Sequence, residues 1–505
     1  MNKLNKIFTP EVSNRLILHT PLVSIVYTIG VIRVFYASDY PVSTLEIIIS
    51  LFLLIILTVL GFVICALFLK DRIKSSVAAT FFLVFSFNAP MITKSLFDIR
   101  LLPELSLIFL EGNEFITSIL LVTVALLLII YLIRILPGRL VRLNKYLNIL
   151  FLIFLVFEIF SLFTFEPKRI ELTNKVQFQN TPLNDKSEFP DIYYIIFDSY
   201  TNFESLKKYW NYDNSELKEF LAERNFYLAE RSRSNYNQTH FTIASTFNLS
   251  YLHYESFNEL TMAHYPNLFQ LIRNNVLVKT LRANGFKFIN YSFFDIANTP
   301  RYFRIDVINE PGFFKNTIFK WILNIDNFLK VLGLSETPEP YYSKLTQELL
   351  LRTREITNSK FNSPFFAYIH FIIPHSLYYF DAEGNLMPAD YANDETDKWK
   401  FLEQLKYSNK VLMEVVDHIL STAKEKPIII IQGDHGFRRL EDKKEQGAES
   451  HSVLNAFYFP DGDYNALYEN ISSVNTFRVL LNKLNLTDVP LLPDKSFFVA
   501  KGIGF

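Results

Sequence analysis

A chain of 505 residues, 50% hydrophobic and 16% aromatic with 50 phenylalanines, exceeds one ordinary domain and is more apolar than a soluble enzyme needs to be. A net charge of −1 and a pI near 6.8 exclude the basic bias of a polyanion-binding protein, so nucleic acid is not an expected partner. Cys65 is the single cysteine, which excludes intrachain disulfides and a four-cysteine zinc site.

The amino-terminal third reads as membrane. Ile47–Leu69 and Phe115–Ile133 are uncharged runs long enough to cross a hydrocarbon core of about 30 Å as helices. Ser75–Thr93, closed by Lys94, and Tyr146–Phe165, with Glu158 near its far end, are two more. Leu16–Tyr36, apolar from Leu22 to Ile32, is the first of five. Lys3, Lys6 and Arg15 precede the first span; Lys70, Arg72 and Lys74 separate the second and third; Arg134, Arg139, Arg142 and Lys145 separate the fourth and fifth. The alternate connections are poor in cations, which places the amino terminus in the cytoplasm and everything after Phe165 outside. The first run leads into further spans and so does not read as a cleaved signal peptide. Arg33 and Glu158 are expected near the outer interface, solvated there by snorkelling.

Three regions follow: a membrane domain of five transmembrane helices (1–165), a polar, aperiodic linker (166–188) and an extracytoplasmic domain (189–505). In the last, strand-like runs at Ile192–Phe197, Phe286–Asn290, Phe365–Ile372, Ile428–Gln432 and Asn455–Phe459 are interleaved with helical patterns such as Lys398–Lys424. That alternation predicts an α/β domain with a largely parallel sheet and helices on both faces.

Two of these strands end on acids. Asp198 follows Ile192–Phe197, and Gly433-Asp434-His435-Gly436 follows four consecutive isoleucines, a run that suits a strand buried on both faces. Ends of neighbouring parallel strands lie side by side, so Asp198, Asp434 and His435 suit a divalent metal at the carboxyl edge of the sheet. Taken singly, an acid such as Asp198 after a strand is more often a helix cap, and Gly-Asp-His-Gly reads equally as a solvated turn. The stretch Ser234–Ser245 reads as a helix start, where Thr239 would face the helix dipole and free N–H groups that hold phosphate or sulfate. A threonine hydroxyl there is a nucleophile only if a base or metal activates it; otherwise it is a cap.

The ordered set of a strand ending in Asp198, Thr239 at a helix start, and a late strand ending in Asp434-His435-Gly436 resembles the alkaline phosphatase superfamily. With five spans ahead of an external domain, the chain resembles the sulfatase-like lipoteichoic acid synthases and phosphoethanolamine transferases within it. The resemblance covers about Pro190 to Leu491, and Tyr407, Asp417 and Pro374-His375 match recurrent positions. It implies one divalent metal (Mn, Zn or Mg) on Asp198, Thr239, Asp434 and His435, with Thr239 as covalent nucleophile. His375 and His451 would be additional histidines serving substrate or a second metal. Where the transferases usually carry Glu first, this chain has Asp198. Formylglycine sulfatases need Cys or Ser in a Cys/Ser-x-Pro-x-Arg motif, and the aligned residues are Thr239, Phe241 and Ile243, which disfavours ordinary sulfatase catalysis.

The resulting expectation is a membrane-anchored, metal-dependent phosphotransferase of the cytoplasmic membrane with a periplasmic or extracellular catalytic domain. It would move a phospholipid head group through Thr239 to an envelope acceptor, with His375 or His451 as acid/base. The alternatives are a sulfatase-like hydrolase of sulfate esters or phosphodiesters on extracellular glycans or lipids, and a non-catalytic membrane scaffold. Membrane lipid or envelope glycan is the expected substrate, and no protein partner is indicated.

Overall fold

The computed structural model describes residues 16–37, 44–98, 114–138, 140–164, 171–173, 189–253, 265–303, 341–359, 361–388, 391 and 396–499. These form two compact units, each with its own hydrophobic core.

The amino-terminal unit contains helices α1 (His19–Ala37), α2 (Thr44–Leu69), α3 (Arg72–Asp98), α4 (Glu114–Ile135) and α5 (Val141–Thr164), one on each apolar run. Among the described residues two stretches, Leu51–Leu69 and Val141–Thr164, are long and apolar enough to cross a membrane, and Leu120–Ile135 is apolar but shorter. Apolar side chains lie outside as well as in the core, and polar ones are buried among them. Phe52, Leu67, Val124, Phe157 and Phe163 are exposed, whereas His19, Thr20, Ser76, Thr80, Asn144 and Asn148 are buried. The buried groups satisfy one another: His19 Nδ1 lies 2.6 Å from Thr80 Oγ1 and its Nε2 3.0 Å from Asn144 Oδ1. Arg33 and Glu158 are not solvated separately as expected, because the Arg33 Nε–H donates to Glu158 Oε2 at 3.0 Å and joins α1 to α5. Most of the proposed linker, 166–188, lies outside the described residues, as do Lys3, Lys6, Arg15 and Arg139.

The second unit contains, in chain order, β1 (Glu171–Leu172), β2 (Ile192–Phe197), α6 (Phe203–Trp210), α7 (Ser215–Glu223), β3 (Tyr227–Leu228), α8 (Thr239–Asn248) and β4 (Leu252–His253). Then come α9 (Tyr265–Arg273), α10 (Val276–Ala283), β5 (Lys287–Tyr291), α11 (Tyr341–Asn358), β6 (Phe365–Phe371), α12 (Lys398–Thr422), β7 (Ile428–Gln432), α13 (Lys443–Glu449), β8 (Asn455–Tyr458) and α14 (Ser473–Lys483). The six-stranded sheet runs β3-β8-β7-β2-β6-β5, so the apolar strand β2 is central between β7 and β6. β5, β6, β2 and β7 are parallel, whereas β8 is antiparallel to both β7 and β3. The sheet is therefore mixed. Residues 433–454 return the chain to the edge where β7 ended, so Asn455 pairs with Gln432 and β8 runs back. A helical crossover to the far edge, as between β6 and β7, would have kept the direction.

Successive residues of a strand point to opposite faces. Tyr194, Phe366 and Tyr368 receive Phe247 of α8 and Phe477 of α14, with Phe247 and Tyr368 rings 5.0 Å apart and Tyr194 and Phe477 rings 4.8 Å apart. Burial of each such ring stabilises the domain by about 1.5–3 kcal/mol. This packing fixes the start of α8, and hence Thr239, relative to the carboxyl ends of β2, β6 and β7.

Candidate active site

Three adjacent strand ends supply the site. Asp198 continues β2, and its N–H donates to Phe371 O of β6 at 2.9 Å. Asp434 and His435 follow β7 on the other side. The turn between them is possible only with glycine at both ends: a Cβ on Gly433 would meet Tyr200 O at 2.2 Å, and one on Gly436 would meet Glu449 O at 2.1 Å. Ser199, in the left-handed region at φ 65°, closes the gap. Its N–H donates to Asp434 Oδ1 at 3.0 Å and its Oγ lies 3.1 Å from His435 Nδ1.

The ligand atoms of Asp198, His375 and His435 lie within 4.8 Å of one another, and so do those of Asp198, His370 and Asp434. Among the described residues, the buried atoms Asp198 Oδ1, Asp434 Oδ2 and His435 Nε2 have no hydrogen-bond partner. His435 Nε2 is 3.5 Å from Asp198 Oδ1 and 3.7 Å from Asp434 Oδ2. Unsatisfied buried polar atoms of this kind are costly singly, and two acids with an imidazole nitrogen facing one point fit a divalent cation. His435 Nδ1 lies 2.9 Å from Gly436 O, a contact that holds the proton on Nδ1 and turns the Nε2 lone pair to the site.

The electrostatics agree with that fit. Burial pushes Asp434 up, and the charge of Asp198 adds to the rise, to about 6; His370, the Thr239 hydroxyl and the Ser199 N–H oppose it. For Asp198 burial acts upward but is outweighed by His375 and by the hydrogen bond from His370, which hold its carboxyl below the usual range. His435 is lowered by burial and by the Arg438 charge, so it is neutral, the form a metal ligand requires.

Thr239 is the first residue of α8, after Gln238 in extended conformation, and is buried. Its hydroxyl acts on the Asp434 carboxylate, which ties the helix start to the acid cluster. His375 belongs to the cluster: Nδ1 faces Ser376 O, and Nε2 accepts from Arg438 Nη2 at 2.7 Å. His451 stands apart. Its Nδ1 faces Gly447 O at 2.8 Å and its Nε2 Phe497 O at 3.2 Å, and it lines a cavity of about 430 Å³ with Arg233, Lys443 and Phe498, none of which belongs to the converging set. Asp417 makes an exposed ion pair with Arg224 at 2.6 Å, and Tyr407 packs on Phe380, so both hold the fold.

His370 was not marked by the sequence reading. It lies in β6 opposite Ile196, with Nδ1 2.7 Å from the Tyr368 hydroxyl and Nε2 3.4 Å from Asp198 Oδ2. With Tyr368 donating to Nδ1, we assign the proton to Nε2, which orients Asp198. A lone ionisable group within Phe365–Phe371 was the available signal, since a buried imidazole needs partners.

The Sulfatase family model matches residues 190–478, more than half of the chain. Solved structures with a similar fold include a 2-O GAG sulfatase, BT1596, at 13% identity over 62% of this chain and 73% of that chain, with a TM-score of 0.41. They also include the C-terminal periplasmic domain of EcEptC from Escherichia coli in complex with Zn, at 9% identity over 62% and 86% with a TM-score of 0.39. The corresponding domain of phosphoethanolamine transferase EptC from Campylobacter jejuni matches at 12% over 60% and 91%, TM-score 0.35. No curated protein matches the chain significantly.

Proposed function

The chain belongs to the sulfatase family, and on that premise we propose that it is a membrane-anchored, metal-dependent phosphotransferase that moves a phospholipid head group, or a similar phosphoryl group, to an envelope acceptor. The carrying observation is the convergence of the three unpartnered atoms, Asp198 Oδ1, Asp434 Oδ2 and His435 Nε2, beside a threonine at a helix start. Asp198, Asp434 and His435, with Thr239, would hold one divalent cation. Bound there, the cation supplies Lewis acidity and lowers the pKa of the threonine hydroxyl.

Thr239 Oγ attacks phosphorus, giving its proton to His375 Nε2, and an Oγ–P bond forms as the bond to the lipid alcohol breaks. The free N–H groups at the start of α8 stabilise the charge that develops on the phosphoryl oxygens. His375 passes that proton to the departing alkoxide, then takes one from the acceptor hydroxyl, whose oxygen displaces Thr239, and returns it to Thr239 Oγ. Threonine supports this route over one through a formylglycine. Hydrolysis of a phosphodiester or sulfate ester would use the same groups with water as acceptor, and the family match keeps that as the second reading.

The five amino-terminal helices serve as spans in this proposal, with the amino terminus in the cytoplasm, 166–188 as linker and 189–505 outside. An apolar exterior, with buried polar groups that satisfy one another within an apolar core, supports membrane insertion. Thr239→Ala is expected to lower turnover of phospholipid by about 10³-fold or more, with melting temperature unchanged and metal still held, though less tightly, by Asp198, Asp434 and His435. Retained turnover would remove Thr239 as nucleophile. Products analysed with and without an added alcohol acceptor separate transfer from hydrolysis.

A further inference from the structure

The loop after Gly436 is anchored by Phe437, whose buried ring packs on Phe401 and Trp210 at 4.7 and 5.3 Å. The next residue, Arg438, is half-buried and directs its guanidinium back to the site. Nη2 donates to His375 Nε2 at 2.7 Å, and Nη1 donates to Gln238 Oε1 and, at 3.4 Å, to Asn237 O. Every one of these partners is neutral or a backbone carbonyl. Among the described residues no carboxylate pairs with Arg438; the buried Arg478 also lacks one but is held by the fixed backbone carbonyls of Leu249 and Pro490, whereas Arg438 rests chiefly on two side chains that can turn away. An oxyanion is a stronger acceptor for a guanidinium than a neutral amide or imidazole and would displace such side chains on arrival. Its two side-chain neighbours are informative about where that anion would sit. Gln238 immediately precedes the proposed nucleophile, and His375 shares the ligand cluster of Asp198 and His435. The guanidinium thus bridges the nucleophile's helix and the proposed acid/base, and its planar fork matches two oxygens of one tetrahedral group.

We propose that Arg438 is an anion clamp: when an ester substrate arrives, its two N–H arms leave Gln238 and His375 for two non-bridging oxygens of the group being transferred, releasing His375 Nε2 for proton transfer. The clamp rests on the reading of Thr239 as the nucleophile of an ester-transfer site. It selects a tetrahedral oxyanion ester and makes substrate arrival the event that frees the acid/base, so binding and proton transfer are coupled through one side chain.

The test uses the full chain in detergent, loaded with Zn²⁺, with inorganic phosphate as probe in isothermal titration, for wild type, Arg438→Gln and Arg438→Lys. The expected result for Arg438→Gln is a loss of phosphate affinity of about 10–100-fold, the scale of a charge-assisted contact, with one metal per chain retained. Arg438→Lys should recover part of the affinity but not the two-point contact, so kcat should stay low while KM improves. Phosphate affinity equal to wild type in both variants overturns the clamp. So does loss of metal together with phosphate in both, because Arg438 would then support the metal ligands instead of the anion. A wild-type protein that takes metal but neither binds phosphate nor turns over phospholipid overturns the transfer reading itself, a result distinct from wild type and variants binding phosphate alike.

Discussion

Asp434 and Glu449 are both buried acids pushed upward, but with opposite consequences for the protein in use. Asp434, at about 6, competes for its proton with any cation it holds, so metal affinity should weaken as pH falls through that value and be full above it. Titration of Zn²⁺ into the full chain at pH 5 and 7.5 checks this; equal affinities would remove Asp434 from the ligand set. Asp434→Asn should abolish tight binding at both. Glu449 receives the Thr201 hydroxyl at 2.5 Å and is raised by burial to about 8, against the pull of Ser205, Thr201 and the Phe437 N–H. Its folded pKa lies above the unfolded value of 4.5, so the folded state holds the extra proton. Its contribution is therefore complete at low pH and is lost as pH rises toward 8. Glu449→Gln, which cannot ionise, should melt higher than wild type at pH 8.5 and nearly together with it at pH 4, below the unfolded pKa of 4.5. Asp198, Asp434 and His435 were legible because they end apolar strands. His370 and Arg438 were not, since neither periodicity nor spacing says which polar residue of a neighbouring strand or loop comes to face Asp198 or His375.

At the scale of elements, the site depends on turns that admit no extra atom. Gly436→Ala places a methyl against two carbonyl oxygens, Glu449 O at 2.1 Å and Ser452 O at 2.5 Å, and neither can move without shifting α13 or the start of β8. A loss of about 1–3 kcal/mol and of metal binding is expected, read by denaturation and metal content; unchanged metal content would show that the turn tolerates the shift. The parallel core of the sheet was legible because fully apolar runs such as Ile428–Ile431 suit only strands covered on both faces. The direction of β8 was not, because it is set by the return path of residues 433–454 and not by anything within Asn455–Tyr458. The two-residue strands β1, β3 and β4 are too short to carry a period. Thr239 at the helix start was legible from local chemistry, while its approach to Asp434 depends on the packing of Phe247 and Phe477 against the sheet.

For the whole molecule, the membrane reading and the transfer reading make separate demands. Charge order was informative about topology because connections between apolar runs carry their bias openly, whereas the buried His19, Thr80 and Asn144 set needed the helices brought together. A cysteine in place of exposed Ala466 should react with an impermeant maleimide on intact cells and one in place of exposed Lys145 should not, in a background with Cys65 replaced; the reverse pattern would invert the topology. The central claim is that Thr239 carries the transferred group. The most direct measurement is the intact mass, with peptide mapping, of the metal-loaded full chain after incubation with vesicles of phosphatidylethanolamine or phosphatidylglycerol without acceptor. The expected result is an added phospho-head group on the Thr239 peptide, absent from Thr239→Ala and removed by an alcohol acceptor; turnover with that peptide unmodified and the group on another residue would contradict it.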